Sequence, residues 1–193
     1  MAIFEESMAA EAPSAYSYQY YNGLKNRRIY FNADVDETII EEVLMPLLSM
    51  DDTTSRPVEL ILNTDGGDAF PAFALCDVID NVKVPLTITV PAYAFSAGFL
   101  ILCSGKNNPN VKKRCYAHSL ALLHGGEVQA AGNASTVKDT QAFFEKYNVE
   151  MRNYIRKNTN LPEKIVEESE RKEIYLTAQE MLEYGIVDEI IGN

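Results

Sequence analysis

Short apolar runs alternate with amphipathic segments from about residue 27 onwards. The runs have the length and β-branched content of buried strands, and the segments between them repeat every three to four residues, as helices do. The predicted strands lie at 28–31, 58–63, 86–90, 114–117, 119–124 and 186–191, with a brief extended piece at 174–176. Strands that alternate with helices indicate βαβ units, so the pattern predicts an α/β fold with a mainly parallel sheet.

Two helices are predicted from their capping residues. Thr177 and Glu180 have the spacing of a capping box, in which two side chains satisfy backbone N–H groups of the first helical turn. Asp34 and Glu37 are predicted to form the same motif ahead of an apolar-periodic helix at 39–48.

The segment 135–158 contains neither glycine nor proline and is the longest predicted helix. Its apolar residues recur at steps of seven, three and four, like the stripe of a coiled coil, and are Val137, Phe144, Tyr147, Met151 and Tyr154. A helix of this length spans about 36 Å, which is long for a small domain. The stripe either lies along the core of its own domain or projects in part and packs on another subunit.

Length, charge and cysteine content narrow the class of protein. The 193 residues suit one domain over 21–193, preceded by a flexible arm over 1–20 that is rich in Ala, Ser, Glu and Tyr. A net charge of −11 disfavours nucleic-acid binding, because phosphate contacts need a basic surface. Three cysteines without a CxxC pair favour a reducing compartment. With neither a signal-peptide pattern nor a bilayer-length apolar run, we expect a cytoplasmic protein that does not bind membranes.

Three segments carry candidate chemistry, and each follows a predicted strand. Ser96 begins the apolar segment 96–103, predicted to be a buried helix whose N-terminal N–H groups can stabilise an oxyanion. His124 ends a strand and can present its imidazole as a general base. Gly66 and Gly67 let a ligand approach the backbone closely. Alone, such a serine is more often a helix cap, such a histidine is more often structural, and such a glycine pair is also typical of a tight turn. Together they are more specific, because the carboxyl ends of parallel strands share one edge, where sites form.

The order and spacing of these motifs resemble the ClpP peptidases, the serine-protease core of ATP-dependent degradation machines. The resemblance covers residues 16–191. The turn 63–67 (Asn-Thr-Asp-Gly-Gly) stands where the family has Asn-Ser-Pro-Gly-Gly, and the segment 94–98 (Ala-Phe-Ser-Ala-Gly) stands where it has Ala-Ala-Ser-Met-Gly. The run 122–124 (Leu-Leu-His) matches the strand that ends in the family's histidine, and 183–188 (Glu-Tyr-Gly-Ile-Val-Asp) is close to its C-terminal signature.

The resemblance implies a crotonase-like α/β fold, the ClpP fold, made of repeated β-β-α-type units with a projecting handle helix at about 125–160. It also implies a homo- or hetero-oligomeric barrel of two stacked seven-membered rings. The implied partner is a hexameric AAA+ unfoldase of the ClpX, ClpA or ClpC type, and the implied substrates are unfolded polypeptides. No cofactor is expected.

Carried over by position, Ser96 is the nucleophile of a serine endopeptidase and His124 its base. The backbone N–H groups of Gly67 and Ala97 form the oxyanion hole. The acid that orients the histidine is Glu173 when the chain is aligned from the C-terminal signature.

The chain departs from the family pattern at three places. Asp65 replaces a proline in the glycine turn, and Gly125-Gly126 replaces Gln-Pro after the histidine. The third departure is at the family's Arg-Asp pair, where residues 170–173 read Glu-Arg-Lys-Glu. An alternative alignment, on Glu-Arg, places Lys172 at the acid position, and a lysine cannot accept a hydrogen bond. An active peptidase, a weak or silent ring subunit with an assembly or regulatory role, and an acyl-CoA enzyme on the same fold therefore all stay open.

Overall fold

The structure, a computed structural model, describes residues 14–52, 54–126 and 130–192. The helices in these ranges are α1 (Ala15–Lys25), α2 (Met45–Met50), α3 (Ala69–Asn81), α4 (Ala97–Cys103), α5 (Ala134–Asn158), α6 (Glu163–Glu168) and α7 (Ala178–Glu183). The strands are β1 (Arg28–Asn32), β2 (Val58–Asn63), β3 (Leu86–Val90), β4 (Tyr93–Phe95), β5 (Val111–Tyr116), β6 (Leu120–Leu123), β7 (Ile174–Thr177) and β8 (Glu189–Ile191).

The strands form two sheets. The larger has the order β1-β2-β3-β5-β8, and every neighbouring pair in it is parallel. The smaller has the order β4-β6-β7, with β4 parallel and β7 antiparallel to β6. This mixed, mostly parallel α/β architecture is consistent with the ClpP fold and confirms the predicted fold class.

The apolar pattern explains why the larger sheet forms. Burial alternates along β1 and β2, so that Ile29, Phe31 and Leu60 are buried on one face of the sheet. The opposite face carries polar residues, of which Glu59 forms ion pairs with Arg28 at 2.6 Å and with Arg114 at 2.7 Å. The bounds predicted for β2 and β3 are confirmed.

The segment before β2 differs from its prediction. The capping box of Asp34 and Glu37 is wrong, because the Asp36 carboxylate accepts the hydrogen bonds there, from the N–H and the hydroxyl of Thr38. A π-helical stretch, Ile40–Leu44, then runs into α2. Proline lacks an N–H and its ring crowds the carbonyl four residues earlier, so the loose π turn lies directly upstream of the proline at the start of α2.

The N-terminal region contains a helix that the sequence analysis did not predict. The arm was placed at 1–20, and residues 1–13 lie outside the described residues, whereas residues 15–20 belong to α1. Ser14 caps this helix by accepting a hydrogen bond from the N–H of Ser17. The Tyr20 hydroxyl donates to the carbonyl of Glu42 at 2.9 Å, which ties α1 to the π-helical stretch.

The long helix α5 matches the predicted segment 135–158 closely and is capped by the Asn133 side chain. Its apolar stripe packs within the subunit: Tyr147 lies 4.9 Å from Phe70 between ring centroids, and Met151 packs against the core. Some apolar side chains of α5 stay exposed, with Phe143 49% accessible. No helix in the described ranges is both long and apolar enough to cross a bilayer.

Candidate active site

Ser96 lies in a sharp turn between β4 and α4. Its backbone has a φ of 51° and a ψ of −114°, a strained conformation for a residue with a side chain. Two hydrogen bonds hold the turn: the Phe95 N–H donates to the carbonyl of Thr64 at 3.0 Å, and the Ser96 N–H donates to the carbonyl of Leu122 at 2.9 Å. A strained strand-to-helix turn that presents a serine side chain is typical of a nucleophile elbow.

His124 follows β6 directly, beside the elbow. Parallel pairing places Phe95 opposite Leu122. The two strands therefore end at the same edge of the small sheet, where one is followed by Ser96 and the other by His124. The distance from His124 Nε2 to Ser96 Oγ is 2.8 Å. This is the hydrogen-bond distance at which an imidazole can remove a hydroxyl proton. His118, the other histidine, is exposed in the turn before β6.

The glycine turn after β2 packs against the elbow. A Cβ on Gly66 would lie 2.7 Å from the Ser96 Cβ and 3.1 Å from the Ala97 nitrogen, so only glycine allows this approach. Gly67 has a φ of 143°, and a Cβ there would lie 2.2 Å from the Val35 carbonyl oxygen. Val35 anchors the turn by donating to the Gly66 carbonyl, at 2.7 Å.

Two backbone N–H groups are available beside Ser96. Within the described residues, the N–H groups of Gly67 and Ala97 donate to no acceptor, although both residues line the same cleft as Ser96 and His124. Ala97 is the first residue of α4, where helical N–H groups lack intrahelical partners. Paired N–H donors beside a nucleophile can stabilise a developing oxyanion.

The cleft in front of this pair has a volume of about 900 Å³. The elbow and the glycine turn line one side, and α5 lines the other with Phe144, Tyr147 and Met151. Burial raises the pKa of Tyr147 to about 12, with Asp68 adding to the rise, so its hydroxyl stays protonated and donates to the Ala69 carbonyl. A cleft of this size and apolar lining can hold an extended ligand.

Glu173 and His124 lie at the same end of the β6–β7 pair, but the Glu173 carboxylate is hydrogen-bonded to another residue. The last antiparallel pair is Leu123 with Ile174, and His124 and Glu173 are the residues that adjoin this pair. Glu173 is exposed, and its Oε2 accepts a hydrogen bond from the Tyr175 hydroxyl at 2.9 Å. No hydrogen bond joins Glu173 to His124 in the part of the chain that the structure describes.

Three further charged residues of interest form ion pairs. Lys172, the alternative at the acid position, forms an ion pair with Glu168 at 2.7 Å. Arg152 and Glu170 line the cleft and form an ion pair at 2.6 Å. Neither of these two residues could be assigned a role from the sequence, because a single charged residue carries no local signal of what it contacts.

Comparison with known proteins identifies the family to which this site belongs. Residues 12–193 match the family described as Clp protease. The chain belongs to the Clp protease family. It is 25% identical over 178 residues to the ATP-dependent Clp protease proteolytic subunit of Deinococcus radiodurans. That alignment covers 91% of this chain and 85% of the relative. It is also 26% identical over 172 residues to the ATP-dependent Clp protease proteolytic subunit 2 of Treponema denticola. That alignment covers 88% of this chain and 84% of the relative. The resemblance drawn from the motifs is thereby confirmed at the level of the family.

Proposed function

We propose that this chain is a serine endopeptidase subunit of the ClpP type, which cleaves unfolded polypeptides by acyl-enzyme chemistry. The observation that carries the proposal is the 2.8 Å contact between His124 Nε2 and Ser96 Oγ, in a cleft that is also lined by two residues with backbone N–H donors that are free within the described residues. Membership of the Clp protease family supports the same conclusion.

In this proposal the reaction has two halves. His124 Nε2 accepts the proton of Ser96 Oγ as that oxygen attacks the scissile carbonyl, and the N–H groups of Gly67 and Ala97 donate to the resulting oxyanion. His124 then gives the proton to the leaving amine, which leaves an acyl-serine. A water molecule, deprotonated by His124, hydrolyses the ester and regenerates Ser96.

The proposal includes an assembly. The subunit would form two stacked seven-membered rings, homomeric or mixed, which enclose the cleft. A hexameric AAA+ unfoldase of the ClpX, ClpA or ClpC type would deliver unfolded polypeptides in the cytoplasm. Two exposed apolar residues of α5 support a subunit contact, since Phe143 and Val149 are 49% and 43% accessible. The names of the two relatives, which describe ATP-dependent proteolytic subunits, support the partner class.

One observation favours a second candidate, a weak or silent ring subunit with an assembly or regulatory role. The imidazole of a serine protease is normally oriented by a carboxylate on its other nitrogen. Here the Glu173 carboxylate is bonded to Tyr175 instead. A subunit in this state would hold Ser96 and His124 in contact but turn over slowly.

Reaction with a fluorophosphonate probe separates the two candidates. We expect the wild-type protein to be labelled, Ser96→Ala to lose labelling and peptide hydrolysis completely, and His124→Ala to lose most of both. Ser135→Ala and His118→Ala are matched controls, because both residues are exposed and lie outside the cleft. Labelling of Ser96→Ala would exclude Ser96 as the nucleophile. An assembled wild-type protein that reacts neither with the probe nor with peptides would support the silent subunit.

A further inference from the structure

An ion pair spans one wall of the candidate active-site cleft. Arg152, on α5, contacts the carboxylate of Glu170, just beyond α6, with 2.6 Å between Nη1 and Oε1. The Arg152 side chain is 23% accessible, and both residues line the cleft that contains Ser96 and His124. The pair therefore joins the long helix to the short segment at 169–170.

That segment contacts the backbone next to the histidine. The N–H of Gly125 donates to the carbonyl of Ser169 at 2.6 Å. A Cβ on Gly125 would lie 3.2 Å from the Glu170 carbonyl oxygen, so the two backbones are in close contact. A continuous path of contacts thus runs from Arg152 through Glu170 and Ser169 to the residue that follows His124.

This path matters because the imidazole lacks its usual support. In the described residues, His124 forms a hydrogen bond only through Nε2, to Ser96. The direction of its ring therefore depends on the position of its own backbone, which continues into Gly125. A displacement of about 1 Å in such a group can reduce the rate a hundredfold.

We propose that Arg152 and Glu170 are positioning residues, which hold the segment 169–170 against Gly125 and so keep His124 in reach of Ser96. The proposal rests on the proposed function of the site. It requires the ion pair to affect the position of His124 rather than the stability of the whole fold. Partly exposed ion pairs contribute little to the overall stability of a fold, so removing this one should change the rate far more than the unfolding temperature.

The same helix offers a matched control. Arg156, one turn further along α5, also pairs with a carboxylate beyond the helix, that of Glu163, at 2.9–3.0 Å from its Nε. Neither Arg156 nor Glu163 lines the cleft. Arg152→Met and Arg156→Met thus remove the same charge from the same helix, near the site and away from it.

The test combines kinetics on a short fluorogenic peptide with hydrogen–deuterium exchange of the full-length assembly. In Arg152→Met and Glu170→Gln we expect kcat to fall about ten- to a hundredfold with little change in KM, as for loss of transition-state geometry. The Gly125 amide should exchange faster in both variants and at the wild-type rate in Arg156→Met. Arg152→Lys and the exchanged pair Arg152→Glu with Glu170→Arg should recover part of the rate.

Two results would overturn the proposal. The first is a Gly125 amide that exchanges equally in Arg152→Met, Arg156→Met and wild type. The second is a rise in KM at constant kcat, which would make Arg152 a substrate contact. Because amide exchange does not depend on hydrolysis, it tests the positioning even if the wild-type protein proves silent and the proposed function fails.

Discussion

At the scale of single residues, the hydrogen bond between Tyr175 and Glu173 decides whether Glu173 can act as the acid that orients His124. Glu173 and His124 adjoin the last backbone pair of β6 and β7, yet the Glu173 carboxylate accepts from the Tyr175 hydroxyl at 2.9 Å. That hydrogen bond raises the pKa of Tyr175, and the negative charge of Glu173 adds to the rise. The tyrosine ring also packs edge-on against Phe95, next to Ser96, at 5.9 Å.

We therefore expect Tyr175→Phe to speed peptide hydrolysis several-fold. Phenylalanine keeps the ring packing on Phe95 but releases the Glu173 carboxylate, which can then accept from His124. In the Tyr175→Phe background, where the carboxylate can orient His124, adding Glu173→Gln should cancel this gain in kcat, because a neutral amide stabilises an imidazolium poorly. Glu173→Asp in the same background should retain or improve the rate.

Steady-state kinetics on a peptide substrate measure these effects, with Tyr116→Phe as the control because Tyr116 is similarly exposed. If Glu173→Gln and Tyr175→Phe both hydrolyse peptides at the wild-type rate, Glu173 is not the orienting acid. The site would then operate as a dyad or with another acceptor.

Among the elements, the contact of α4 with the end of β2 sets the position of the elbow. Helical Gly98 faces Thr64, and a Cβ at residue 98 would lie 2.4 Å from the Thr64 Cγ2. Thr64 is buried, and its hydroxyl accepts from the Gly66 N–H at 3.0 Å. One small residue therefore lets the helix, the strand end and the glycine turn meet.

Because of this contact, we expect the effect of Gly98→Ala on stability to change sign between the wild-type protein and the Thr64→Ser variant. Alanine at position 98 gains about 1 kcal/mol of helix propensity, but overpacking costs about 1–3 kcal/mol. We expect Gly98→Ala to destabilise the wild-type protein by about 1 kcal/mol. Thr64→Ser removes the clashing methyl group and keeps the hydroxyl, so in that background Gly98→Ala should be neutral or stabilising. Urea unfolding of the four proteins in the cycle measures this, and additive effects would show that the methyl group is not the obstacle.

For the whole molecule, α5 combines internal aromatic contacts with apolar residues that stay exposed. Tyr147 and Tyr154 face α3, where Tyr154 lies 5.3 Å from Phe73 between ring centroids. The heptad-like stripe is thus an internal contact, and the proposed subunit contact falls on the exposed residues Phe143 and Val149.

We expect Phe143→Glu combined with Val149→Glu to break the assembly into smaller species, since charges would replace the apolar surface. Gln141→Glu combined with Asn153→Glu adds the same charge to exposed polar positions of α5 and should leave the assembly intact. Sedimentation velocity at micromolar concentration distinguishes the two. Equal sizes for both double variants would exclude Phe143 and Val149 from the interface, and a monomeric wild type would overturn the ring proposal.

Lys113 affects the stability of the whole fold. It lies on β5 and is 2% accessible, with its Nζ 3.4 Å from the Cys103 carbonyl oxygen. Burial lowers the pKa of Lys113 below its ordinary value of 10.5, although Cys103 and Asp188 oppose the shift. At pH values between the folded pKa and 10.5, the unfolded chain binds the extra proton, so stability rises with pH through this group.

We expect Lys113→Met to raise the free energy of unfolding by about 1 kcal/mol at pH 7, because it removes a desolvated amine. The advantage over wild type should shrink as the pH approaches 10.5. Lys112→Met is the control, since Lys112 is exposed and paired with Glu189. Denaturant unfolding from pH 7 to 10 measures the difference, and a gap that widens with pH would contradict the assignment.

The amino-acid sequence by itself determined the elements whose signals are local. β2 and β3 were predicted to the residue, because buried parallel strands are apolar runs of limited length. The capping box of Thr177 and Glu180 was confirmed, since both partners lie within one helical turn. β4, with three residues, is too short to show a period, and α1 lacks a clear amphipathic pattern.

The site was only partly predictable for the same reason. Ser96, His124 and Gly67 could be named because each follows a strand, and strand ends meet at one edge of a sheet. Only the tertiary structure decided the 2.8 Å contact between Ser96 and His124, the bond from Tyr175 to Glu173, and the ion pair across the cleft. These contacts depend on strand register and side-chain rotamers, which are set when distant segments pack together and leave no trace in local periodicity.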